Sequence, residues 1–142
     1  MELSESVGDV PDPAMLAGFV LRGEEDAITR HLLRPEFLHD QETALLLAFD
    51  SFGRLCAVER AGGDGTDRCR ISARSWRGML HASVTKAMMV HNHPSGAPWP
   101  SEADMIATRE AANLLRLLGI ELIDHLIFVD NGHFSFRKAG LL

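Results

Sequence analysis

Two cysteines, Cys56 and Cys69, are all that this chain of 142 residues contains, and they do not form a CxxC pair. A secreted disulfide framework is therefore excluded as the organising device of the fold. Basic residues are also short: 14 Lys and Arg stand against 20 Asp and Glu, a formal net charge of −6. A protein that grips DNA through phosphates needs clustered cations, and only Arg68, Arg70, Arg74 and Arg77 come close to a cluster. These four read as a solvated helix face or loop edge, so no strong independent nucleic-acid binding is expected. No apolar run approaches the roughly 20 residues needed to span a bilayer, so no membrane association is expected. The N-terminus, MELSESVGDVPDP, has neither a basic n-region nor an apolar h-region, so a cytoplasmic location is the default expectation. Repeats and low-complexity tracts are missing as well.

What is present fits one domain, since a chain of this length buries roughly two-thirds of its unfolded surface. Residues 1–13 are polar and carry two prolines, and they read as a disordered tail. Residues 14–39 read as short helices, with apolar residues at near-helical spacing (Leu16, Phe19, Val20; then Ile28, Leu32) broken at Gly23. Glu42 to Asp50 is apolar on both faces, as in a buried central strand. The turn at Asp50 to Gly53 leads into a hairpin partner over Arg54 to Arg60. Residues 62–66 form a Gly-rich loop without the Lys-Ser/Thr ending of a phosphate-binding loop, and Ser75 to Val84 carries a helical stripe. A long helix begins at Ser101, with Met105, Ala112 and Leu115 on its core face, the methyl of Thr108 filling the stripe, and Gly119 as its C-cap. Ile120 to Asp130 reads as a central strand, and Asn131-Gly132 as a tight turn into a last strand over His133 to Arg137. The order α, β-β, α, β, α, β-β predicts a single layered α/β domain, a mixed sheet with helices packed on it.

The chemistry concentrates after the apolar run Ala87 to Val90. Residues two apart on a strand point the same way, so His91 and His93 present two imidazoles to one point. After seven intervening residues comes Ser101, and three further on Asp104; at a helix start these lie one turn apart. Two neutral imidazoles, one carboxylate and a water complete the shell of a catalytic zinc with an open position. One zinc ion per chain is the expected cofactor, and a metallohydrolase the expected class.

This pattern resembles the JAMM motif of the MPN (JAB) metallopeptidases, and the longer string HNHPSGAPWPSEADMIAT resembles their bacterial RadC branch. Gln41-Glu42 before an apolar run, Gly65-Thr66, Leu118-Gly119-Ile120 and Asp124-His125 extend the similarity over roughly residues 40 to 140, so residues 40–142 are expected to form the RadC-like domain. The resemblance implies the JAB/MPN fold, of cytidine-deaminase-like architecture, and hydrolysis of an amide bond in a peptide or protein substrate by a zinc-bound water. It implies that Glu42 is the general base, which its place at the opening of a buried strand also suits. For Ser101 it implies a hydrogen bond to the tetrahedral oxyanion, whereas Ser-Glu-Ala-Asp before an apolar helix reads on its own as a capping box. Asp104 is then claimed by both the metal and the cap. Asp124-His125 reads as a structural hydrogen-bonded pair, and His31, His39, His81 and His133 carry no spacing signal. Asn92 should face away from its histidine neighbours.

Alternatives are of two kinds. A zinc deaminase would need His-x-Glu and Pro-Cys-x-x-Cys, and both are missing. A catalytically weak RadC-like binding module associated with DNA repair or recombination is the rival of a different class. Longer RadC proteins carry an N-terminal helix-hairpin-helix region, for which the forty or so residues before Gln41 are too few. The chain also departs from the branch pattern at Ser72-Ala73-Arg74-Ser75, Ala97 and Trp99. The indole of Trp99 serves either as a substrate platform or as a loop anchor.

Overall fold

The run ALLLAFD has no polar alternation, which a strand can tolerate only with both faces covered. The computed structural model, which describes residues 13–37, 40–61, 77 and 83–142, places it inside a six-stranded sheet. The strands are β1 (Phe19–Leu21), β2 (Ala44–Asp50), β3 (Leu55–Ala61), β4 (Val84–Asn92), β5 (Glu121–Val129) and β6 (Gly132–Ser135). Their order across the sheet is β1-β6-β5-β4-β2-β3. Only β4 and β5 are parallel; the other neighbours run antiparallel. Among the described residues, the helices α1 (Pro13–Ala17) and the long α2 (Glu102–Leu117) flank the strands in sequence, and the mixed sheet with its helices is the α/β domain that the pattern predicts.

The single parallel pair explains where α2 sits. Parallel neighbours need a crossover connection, and α2 supplies it between β4 and β5. It packs over Leu46, Ala48, Ala87, Met89 and Leu122 with Ala111 and Leu115. On the opposite face Leu45, Leu47, Val90, Leu126 and Phe128 form a second core, with Leu33 and Phe37 against it. Gly119 ends α2 with a φ of +77°, a left-handed conformation that glycine adopts without a Cβ penalty. The N–H of Ile120 then bonds back to the carbonyl of Leu115 at 2.8 Å and turns the chain into β5.

Several elements differ from expectation for identifiable reasons. The fully buried face of α2 is Asp104, Thr108, Ala111 and Leu115, with Met105 and Ala112 only half-buried beside it. The helix is thus rotated towards its polar residues, because they serve the site. Residues 14–39 are not all helical: after α1, Phe19–Leu21 forms an edge strand on β6. A Cβ on Gly132 would meet the Val20 carbonyl oxygen at about 2.1 Å, so the glycine next to the turn is what lets β1 approach. Arg22–Glu24, Thr29–Leu33 and Arg34–Glu36 then form short 3-10 and π turns, pinned by a buried Glu25 whose carboxylate binds Arg34 and His133. Arg34 also donates to the carbonyls of Val129 at 2.7 Å and Gly132 at 3.1 Å, stitching the segment to the β5-β6 hairpin. The central strand starts at Ala44 rather than Glu42, and the last strand spans 132–135 rather than 133–137. Val84 begins β4 instead of closing a helix. Most of the expected helical stripe before it, the Gly-rich loop at 62–66, the tail at 1–12, and Arg68, Arg70 and Arg74 lie outside the described residues.

Candidate metal centre

β4 carries His91 to the C-terminal end of the sheet on the α2 face, in line with Ala87 and Met89. His93 follows just past the strand end, and its N–H bonds to the Phe128 carbonyl at 2.9 Å, so the backbone stays in line with the sheet. The two Nε2 atoms lie 3.0 Å apart. From α2, the carboxylate of Asp104 closes the triangle: Oδ2 is 3.1 Å from His93 Nε2, and Oδ1 is 3.5 Å from His91 Nε2. His91 and Asp104 are buried, whereas His93 is partly open. Three ligand atoms from two elements thus face one another, with access from the His93 side.

Glu42 reaches the same place from β2. Ala44 is opposite His91 in the antiparallel register, so the chain two residues earlier lies beside His93. Glu42, His91 and His93 bring ligand atoms within 4.8 Å of one another, a group able to hold a metal ion. The three residues proposed as ligands from spacing and the glutamate proposed as base are therefore all brought together.

Ser101 and Asp104 are joined by the cap of α2. Ser101 Oγ accepts the Asp104 N–H at 3.0 Å, and Asp104 Oδ2 accepts the Ser101 N–H at 2.9 Å, a complete capping box. The cap uses Oδ2, while Oδ1 remains directed at His91. The cap uses Ser101 Oγ only as an acceptor, and its own hydroxyl hydrogen is not consumed by that bond.

The electrostatics follow from burial and this clustering. Burial opposes charge on Asp104, but the nearness of both histidines and the bond from the Ser101 N–H outweigh it and hold its pKa far below the usual carboxylate range. Burial lowers the pKa of His91. For His93 burial also works downward, but the bonds to Asp104 and the Ala97 carbonyl, with the charges of Asp104 and Glu42, raise it overall.

His125 is buried and hydrogen-bonded, as expected of a structural histidine, but its ring has other partners. Its side chain does not pair with Asp124, which instead accepts from Ser135 Oγ and the Arg137 N–H as well as the His125 backbone N–H. The ring points the other way, into the site: Nε2 lies 2.7 Å from His91 Nδ1, and Nδ1 lies 2.6 Å from Thr108 Oγ1. Burial, then the neighbouring His91, push its pKa well below the ordinary value. One histidine on an apolar strand offers no spacing cue, so only the sheet register could reveal it. Trp99 resolves as an anchor, packed against Phe19 and Phe134 at ring distances of 6.0 and 6.1 Å. On the other face of β4, a cleft of about 260 Å³ reaches His93, its walls including Arg22, Arg30, Arg34, Phe37 and Asn92.

Comparison with known proteins bears on this geometry. The family model described as "RadC-like JAB domain" matches residues 24–141. Among curated relatives, a UPF0758 protein of Coxiella burnetii is 34% identical over 106 residues, covering 73% of this chain and 47% of the relative. A UPF0758 protein of Roseiflexus sp. is 32% identical over 134 residues, covering 89% of this chain and 56% of the relative. One from Thermotoga maritima is 40% identical over 78 residues, covering 54% and 35%. The chain spans about half the length of the curated relatives it matches.

Proposed function

The chain belongs to the RadC-like JAB domain family, and from that membership and the site geometry we propose that it is a zinc-dependent metallopeptidase or isopeptidase of the JAMM type. The observation that carries the reading is the approach of His91 Nε2, His93 Nε2 and the Asp104 carboxylate to within 3.0 to 3.5 Å of one another beside Glu42. Two imidazoles and a carboxylate are the donor set of catalytic zinc sites, which keep a fourth position open. A bound zinc ion would acidify a water and polarise a carbonyl.

The side chains divide the remaining work. His91, His93 and Asp104 hold the ion. Asp104 stays ionised at any physiological pH, as a ligand must. Glu42 takes the proton from the attacking water and passes it to the leaving amine. Ser101 caps α2 through its lone pair and donates its hydroxyl hydrogen towards the developing oxyanion. The partly open side of His93 is where an extended peptide would enter.

A peptide-library and linked-protein cleavage screen on wild type and Glu42→Gln tests this reading, with metal content measured on both. Cleavage by wild type alone, with equal zinc in the two proteins, is the expected result. Equal cleavage by both removes Glu42 from the mechanism. Absence of cleavage by either favours the RadC-like binding module.

A further inference from the structure

Behind the metal-facing atoms runs a buried chain of polar groups that the ligand assignment does not use. Thr108 Oγ1 is 2.7 Å from the Asp104 carbonyl oxygen and 2.6 Å from His125 Nδ1. His125 Nε2 is 2.7 Å from His91 Nδ1. Exposure is 2% for Thr108, 1% for His125 and 0% for His91, so solvent does not substitute for any of these bonds.

Counting hydrogens gives the chain a direction. A hydroxyl has one hydrogen and a carbonyl can only accept, so the 2.7 Å approach requires Thr108 to donate to Asp104. Thr108 Oγ1 then faces His125 as an acceptor, and His125 Nδ1 must carry the hydrogen. A neutral imidazole has one N–H, so His125 Nε2 is bare and accepts from His91 Nδ1–H. That leaves the lone pair of His91 on Nε2, the atom that faces His93 and Asp104. Reversing the order would set two bare oxygens, Thr108 Oγ1 and the Asp104 carbonyl, lone pair against lone pair at 2.7 Å. His93 is oriented the same way by a simpler device, since its Nδ1 lies 2.9 Å from the Ala97 carbonyl and donates to it.

We propose that Thr108 and His125 are positioning residues that lock His91 in its Nδ1–H tautomer, so that a single threonine hydrogen on α2 decides which nitrogen of a β4 histidine is free to ligate a metal. The proposal rests on the metal-centre reading for its consequence; without the ion, the bare His91 Nε2 faces His93 Nε2 at 3.0 Å and is satisfied when His93 carries both ring hydrogens. The relay also closes a loop. It starts at the backbone of Asp104 and ends at the ring facing the Asp104 carboxylate, so it ties the helix to both parallel strands.

The test combines a spectrum and an affinity. Long-range ¹H–¹⁵N spectra of the metal-free full chain, taken at about pH 8 where neutral imidazole prevails, should show both His91 and His125 protonated on Nδ1. Thr108→Val keeps the shape but removes the hydrogen. It should release this tautomer preference and weaken zinc binding about 10- to 100-fold, measured by competition with a chromogenic chelator. Thr108→Ser should restore both. His125→Gln supplies a carboxamide oxygen for His91 and an NH₂ for Thr108 and should retain zinc, whereas His125→Leu should not. This pair decides the matter if the valine variant fails to fold. A wild-type spectrum with the hydrogen on His91 Nε2, or undiminished zinc affinity in Thr108→Val and His125→Leu, overturns the relay. Failure of wild type to bind zinc refutes the metal reading instead, and the metal-free spectrum still decides the tautomer.

Discussion

Asn92 and Thr43 hold each other by two hydrogen bonds: the Thr43 N–H donates to Asn92 Oδ1 at 2.7 Å, and the Asn92 N–H to the Thr43 carbonyl at 3.3 Å. Asn92 Nδ2 adds a third bond, to the Gln41 carbonyl at 2.8 Å. The residue between the two histidines thus faces away from the metal centre and clamps the backbone on either side of Glu42. The clamp brings the glutamate alongside His93, beyond the start of β2, where ladder bonds no longer hold it.

Asn92→Ala should therefore act on Glu42 rather than on the metal. Loss of its two side-chain bonds should cost about 1 to 3 kcal/mol of stability and lower kcat, with zinc affinity little changed. Thermal denaturation and metal titration on the same sample separate the effects. A large drop in zinc affinity would show that Asn92 orients the histidines directly.

Purified wild type, expressed with ample zinc, should hold close to one zinc per chain. His93→Ala and Asp104→Ala should each lose most of it. Elemental analysis is sufficient, and metal-free wild type after zinc-replete expression would remove the ligand assignment.

Acid should act on the metal-free fold through its buried histidines. His91 and His125 have folded pKa values below the ordinary 6.5, so the unfolded chain binds more protons and stability is lost as pH falls below 6.5. Glu25 and Asp104, depressed from 4.5 and 3.8, add a further loss as pH falls through those values. His93 works in the opposite sense: its contribution is present below 6.5 and lost as pH rises through its raised value. Below 6.5 the His93 contribution is already complete, so Tm should fall as pH is lowered from about 6.5 to about 4. A flat profile would contradict these burials. The raised pKa of His93 also means that protons should displace zinc at a higher pH than an ordinary histidine would allow.

Glu25→Gln should destabilise by about 3 kcal/mol, because it leaves Arg34 without its carboxylate partner in a largely buried position. Chemical denaturation measures the loss. A change below about 0.5 kcal/mol would mean that the Val129 and Gly132 carbonyls suffice to hold the guanidinium.

DNA binding should stay in the weak non-specific range, roughly 10⁻⁴ to 10⁻⁶ M at physiological salt, and vanish as salt rises. The arginines gathered around the cleft are already engaged: Arg22 with the Asp130 carbonyl, Arg30 with those of Gly23 and Glu25, and Arg34 with Glu25. Tight binding that survives higher salt in a two-point titration would favour the repair module over the peptidase.

The residues of the candidate metal centre were legible in the chain because strand and helix periodicity act over a few residues. His91 and His93 share a face through the two-residue period of a strand, and Ser101 and Asp104 meet through one helical turn. The buried runs of β2 and β5 were readable for the same reason, since an unbroken apolar stretch has to be covered on both faces. Phe19 and Val20 were not readable as a strand: three residues carry no period, and what makes them β is an edge of β6 more than a hundred positions away, left open by Gly132. His125 and Thr108 are a sharper case. Each looked like core, one on an apolar strand and one in a helix stripe, and locally nothing distinguishes a buried hydroxyl or imidazole that merely fills space from one that directs a hydrogen bond. Short-range order in the chain therefore determined which atoms can bind a metal. The parallel pairing of β4 with β5, and the packing of α2 across it, decided how those atoms are held, because hydrogen-bond partners distant in sequence are chosen only when the sheet closes.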